Sequence, residues 1–132
     1  MNYKNILPVF RHKKTMNKKE IFKKANSCGL ASNLKNHKQR KSFIHNCPDE
    51  CIEHICEVYY NVLKGGIKLS PKNSNLVKNK LTRHRVDVRK FIDPKVSVKE
   101  KRNLLTKPQF GNGIFSLLSS AILPVLIGLL SK

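Results

Sequence analysis

A chain of 132 residues has room for one small domain at most. Its 27 Lys and Arg against 8 Asp and Glu leave a formal net charge of +19. That excess excludes an ordinary charge-balanced domain and calls for a polyanionic partner: nucleic acid, an anionic membrane, or both.

The charge is unevenly placed. Residues 1–45 hold 12 Lys/Arg and one acid, and residues 67–107 hold 13 Lys/Arg and three acids. Between them, residues 46–66 carry one Lys and four acids, and residues 108–132 carry Lys132 alone. Three regions are expected: a basic arm (1–45), a small basic helical domain (46–107) and a hydrophobic tail (108–132).

In the arm, "MNYKNILPVFRHKK" has an apolar patch of about five residues, too short for a signal-peptide core. Cys28, Cys47, Cys51 and Cys56 are therefore expected as reduced thiols of an intracellular protein. "KKEIFKKANSCGL" permits one short helix ending at Gly29, and "NLKNHKQRKSF" reads as solvated basic linker. The arm is expected to be largely disordered when free.

"CPDECIEHICEVYYNVLKGG" predicts the first firm helix. Pro48 suits its first position, with Asn46 or Cys47 as cap, and Gly65 and Gly66 end it. Asp49, Glu50 and Glu53 complement the positive end of its dipole, and Lys64 the negative end. Ile52, Ile55, Cys56, Tyr59, Val62 and Leu63 follow helical spacing and form one apolar face.

"LSPKNSNLVKNKLTRHRVDVRKFIDP" repeats this grammar: Ser70 caps, Pro71 opens and Asp93-Pro94 ends a second helix. Leu76, Leu81, His84, Val88 and Phe91 mark its packed face. Lys72, Lys78, Lys80, Arg83, Arg85, Arg89 and Lys90 make the opposite face cationic. "SVKEKRNLL" starts a third helix with a capping box of Ser97 and Glu100, and it adds Lys99, Lys101 and Arg102 to the basic set. These ten Lys and Arg are the expected nucleic-acid contacts, acting on phosphates rather than on base sequence.

Pro108, Gly111 and Gly113 then predict a break before the tail. Ile114–Leu130 is an apolar run of 17 residues, which as a helix spans about 25 Å, the short limit for a bilayer. Pro124 should kink it, as membrane helices tolerate. Ile114, Phe115, Leu117, Leu118, Ile122, Leu123, Pro124, Leu126, Leu129 and Leu130 are the expected lipid contacts. A helix buried in the domain core is the competing reading, disfavoured because so small a domain cannot surround an all-apolar helix.

The fold class that results is all-α: a small bundle of three short helices, with a disordered basic arm and a separate hydrophobic C-terminal helix. Catalysis is not expected, because no phosphate-binding glycine loop, carboxylate pair or nucleophile motif is present. No metal or other cofactor is expected either. "HNCPDECIEHIC" gathers His45, Cys47, Cys51, His54 and Cys56, but its spacing is not that of a zinc site, and Cys51 and Cys56 fall on a packing face.

"NVLKGGIKLS", "LTRHRVDVRKFIDPKVSVKEKRNLL" and the "ILPVLIGLL" tail together resemble one family. It is the small basic protein of Maverick/Polinton-type DNA transposons and the related adintoviruses. The resemblance covers about residues 46–130. The family's adjacent glycines are here Gly111-Asn112-Gly113, and the long N-terminal arm has no counterpart. The resemblance implies a virion protein similar to the adenovirus core and membrane-active minor proteins, located in the virion or host nucleus. Its implied partners are DNA, bound non-specifically, a lipid bilayer through the tail, and capsid proteins. Two other classes fit the residues: a tail-anchored membrane protein with Lys95–Lys107 as its cytosolic positive flank, and an RNA-binding, ribosome-associated protein whose tail packs in a partner.

Overall fold

The computed structural model describes residues 17–34 and 36–131. The first sixteen residues of the expected arm, Lys35 and Lys132 lie outside the described residues. Among the described residues seven helices follow one another: α1 (Lys18–Ser32), α2 (His37–Asn46), α3 (Asp49–Lys64), α4 (Pro71–Arg83), α5 (Arg85–Ile92), α6 (Val98–Leu105) and α7 (Pro108–Leu130). No strand occurs among the described residues, so the all-α class is as expected.

Helix α3 is the centre of the bundle. Ile52, Ile55, Val58 and Tyr59 are fully buried, and α1, α5 and α6 pack on it. Gly65 closes α3 at φ 91°, a left-handed conformation that costs glycine nothing, and Gly66 N–H donates to Asn61 O at 2.8 Å. The expected capping by Ser70 and Ser97 is present: each hydroxyl accepts from the N–H three residues on.

An edge-to-face series of rings ties the middle of the chain to its end. Tyr59 meets Phe91, Phe91 meets Phe110, and Phe110 meets His84, with centroids 5.8–6.2 Å apart. The buried Tyr59 hydroxyl also donates to Ile114 O at 2.5 Å. Burial pushes that phenol well above its ordinary range, so it stays a donor.

Three expectations are corrected. The first concerns the arm, whose described part is folded: α1 and α2 occupy most of residues 17–46. Asn17 and Asn36 cap them, accepting from Glu20 N–H and Gln39 N–H. Helix α1 presents small residues, Ala25, Cys28 and Ala31, which let its backbone approach the end of α7 closely. Lys24 is buried on this side, its ammonium 2.8 Å from Glu57.

The second concerns the tail, which is not separate. Ile114, Phe115, Leu117, Leu118, Ile122 and Leu126 are buried in the same core as α3, whereas Leu123 and Leu129–Leu130 are half-buried and Pro124 is exposed. Pro108 opens α7 at the first helical turn and the helix runs straight through Gly111 and Gly113. Ahead of Pro124 the backbone widens into a π-helical turn over Leu118–Ile122, where Leu123 N–H reaches back to Leu118 O. Such a turn accommodates the missing proline donor. The core of α7 has its partner in α1, which is how a small domain covers so apolar a helix.

The third is the split of the expected second helix at His84, whose φ of −118° and ψ of 30° separate α4 from α5. Its imidazole turns to the Phe110 ring rather than continuing the packed face.

Gly111 is where backbone approach is tightest. A Cβ there would lie 2.1 Å from Leu105 O, whereas one at Gly113 would meet nothing within 4 Å. Gly111→Ala should therefore cost on the order of 3 kcal/mol. Gly113→Ala should be neutral or stabilising by up to about 1 kcal/mol. Urea denaturation midpoints of the two variants check this.

Candidate nucleic-acid interface

The packed face of α4 differs from the expected one, because Leu76 is 40% exposed and Val77 is buried in its place. Lys72, Arg83, Arg85, Arg89 and Lys90 are exposed, and Lys78 and Lys80 are half-buried. Residues 71–92 contain a single acid, Asp87, and it is taken by Lys107 of the α6–α7 junction at 2.9 Å. None of the seven cations pairs with a described carboxylate. Apolar contacts hold both helices from behind: Val77 and Leu81 of α4, and Val88, Phe91 and Ile92 of α5, are buried. The result is a cationic surface on a fixed scaffold.

Helix α6 contributes less than expected. Lys99 is exposed, but Lys101 is only 5% exposed, its stem lying in the core near Cys56. Arg102 points inward to the α2–α3 junction. Its Nη2 donates to Cys47 O and Asp49 Oδ1, both at 2.7 Å, and its Nη1 to Ile44 O at 2.5 Å. The Asp49 carboxylate raises the guanidinium's already high pKa. Arg102 therefore belongs to the fold's own polar network rather than to a surface free for phosphates.

A second basic feature was not legible in the chain. A cavity of about 350 Å³ opens between α2 and the start of α7, lined by His37, Arg40, Lys41, His45 and Lys107 among others. Arg40 donates through Nη1 to Asn112 Oδ1 across it. The run "HKQRK" reads as linker until α2 forms and docks beside α6.

The acids gather on α3 and face α1 and α6. Glu50 Oε1 lies 3.4 Å from His54 Nε2, and His54 Nδ1 shares a hydrogen bond of 2.9 Å with Ser27 Oγ. An acid, an imidazole and a hydroxyl thus stand in series. Ser27 is buried, however, and lines neither the α2 cavity nor the shallower one over residues 62–69. Among the described residues, no three His, Cys, Asp or Glu side chains are placed to hold one metal ion. No family model, curated protein or solved structure matches the chain.

Burial and the nearby Lys24 ammonium lower the His54 pKa, outweighing Glu50 and Glu57. Above about pH 6.5 the ring is neutral folded or unfolded; below it the unfolded chain takes the proton more readily. Stability should therefore fall as the pH drops through that window. His54→Gln should flatten this part of the profile, read from urea midpoints at about pH 7.5 and about pH 5.5.

Proposed function

We propose that the protein is a non-enzymatic DNA-packaging component of a viral or transposon-encoded particle, binding duplex DNA without sequence preference. The α4–α5 surface is its contact face. One observation carries this reading: seven Lys and Arg side chains stand on two packed helices, and the single acid among them is occupied by Lys107. Cations held in this way neutralise phosphates and release counterions, contacts that carry no sequence information of their own. The Arg40–Lys41 rim of the α2 cavity offers a further phosphate seat. The resemblance to transposon and adintovirus proteins supports the particle setting. Competition between unrelated duplexes of equal length tests the reading: equal affinities are expected, and strong preference for one sequence would contradict it.

A second activity, membrane interaction, is favoured by α7. Its 23 residues extend about 35 Å, enough for a bilayer core of about 30 Å. In the folded chain that helix is committed to α1, α6 and α4, so lipid insertion would require it to leave the core. A peptide of residues 111–132 should release dye from anionic vesicles, while the intact folded chain should not. Release by the folded chain at equal concentration would place the active apolar surface outside the core.

A further inference from the structure

The α2–α3 junction brings two cysteines together beside a guanidinium, and neither the core nor the basic surface has a use for that arrangement. Cys47 ends α2 in extended backbone, and Cys51 sits in the first turn of α3, just past Pro48 and Asp49. Each thiol lies close enough to act on the other's ionisation, which sets the two side chains side by side across the Pro48 turn. Arg102 crosses from α6 and fixes the turn through Cys47 O and Asp49, with its Nη1 3.6 Å from Cys47 Sγ. From α1, the Ser27 hydroxyl reaches Cys51, and Cys28 lies close enough to feel its charge, with Lys24 beyond. Glu50 is the acid that opposes ionisation there.

We propose that Cys47 and Cys51 are a thiol–disulfide exchange site that closes to an intramolecular disulfide by reducing a small disulfide such as oxidised glutathione.

The roles follow from access and charge. Cys47 is half-exposed, and Cys51 is buried behind it. Ionisation of the pair is favoured: the Cys51 thiol is lowered to about 6, chiefly by the hydrogen bond from Cys47, aided by Ser27 and Arg102 and opposed by burial. Cys47 in turn is pushed up, because it holds the proton that the two sulfurs share. Transfer of that proton from Cys47 to Cys51 puts the charge on the exposed sulfur, beside Arg102. The Cys47 thiolate then attacks one sulfur of the disulfide, breaking its S–S bond and expelling one glutathione thiolate. That thiolate takes the proton left on Cys51. The Cys51 thiolate attacks Cys47 Sγ, forms the internal disulfide and expels the second glutathione, which takes a proton from water. Two protein sulfurs are oxidised and one small disulfide is reduced to two thiols.

The other cysteines supply internal controls. Cys28 and Cys56 are buried in the core, and burial pushes each thiol up to about 12. Both should be unreactive in the folded chain.

The test is to treat the full chain with oxidised glutathione near neutral pH, quench with an alkylating agent and locate the modified cysteines by peptide mass mapping. A Cys47–Cys51 disulfide, with Cys28 and Cys56 still alkylatable after unfolding, is the expected product. Cys51→Ser should stop at one glutathione on residue 47. Cys47→Ser should react roughly tenfold more slowly or less, since access to the thiolate sets the rate. Four free thiols in the native chain after prolonged treatment, or a disulfide drawing in Cys28 or Cys56 instead, would overturn the proposal. The native-chain result decides it even if a variant fails to fold.

Discussion

Leu126→Lys should unfold this protein, whereas Ile127→Lys, one residue along the same helix, should leave it folded. Leu126 is 0% exposed, closed in by α1 and the rest of the core, while Ile127 is 52% exposed. Removing a buried leucine side chain alone costs about 2–5 kcal/mol. A lysine in its place must also lose its hydration or break the packing to recover it, which adds several more. That sum is comparable to the whole stability of a small domain, about 5–15 kcal/mol. An exposed site such as Ile127 should change stability by about 0.5 kcal/mol or less. If α7 served only as a lipid-facing tail, the two substitutions would cost alike in the membrane and neither would matter in water. Circular dichroism and urea denaturation of the soluble variants separate the cases.

The second large effect is electrostatic. If the α4–α5 surface contacts 6–10 phosphates, affinity for duplex DNA should fall by about 10³–10⁵ between 50 and 200 mM salt. Each phosphate contact releases condensed counterions and contributes about 0.9 to the slope of log affinity against log salt. Changing Arg83, Arg85, Arg89 and Lys90 together to Gln should therefore lower that slope by about 3–4. All four are exposed, so the fold should tolerate the change. Changing Lys101, whose stem is buried in α6, should leave the slope alone even if it weakens the fold. A binding constant indifferent to salt would remove the electrostatic basis of the reading.

How much of this was legible in the chain depends on where each signal resides. Helix α3, its Gly65 stop, and the Ser70 and Ser97 caps are local features, written within a few residues of where they act. The faces of α4 and α5 are only partly local: Leu81, Val88 and Phe91 are buried as their spacing suggested, but Val77 takes the place of Leu76. Helix α1 was not legible as a packed element. Its buried side is made of Ile21, Lys24, Ala25, Ser27, Cys28 and Ala31, of which Ile21 alone is a large apolar residue. Its partner is α7, about a hundred residues along the chain, and without that partner the tail looks like a membrane segment. Arg102 fails for a related reason. Nothing near it in sequence announces that Asp49, 53 residues earlier, will take its guanidinium. The break at His84 likewise depends on Phe110, which arrives from another helix.

The most direct measurement of the central claim is lysine acetylation of the folded protein with and without a duplex of arbitrary sequence, read residue by residue by mass spectrometry. Binding through the α4–α5 surface predicts strong protection of Lys72, Lys78, Lys80 and Lys90, with Lys99 protected less. The buried Lys24 should be slow to react in both states. Protection confined to other lysines, or none at saturating DNA, would contradict the account.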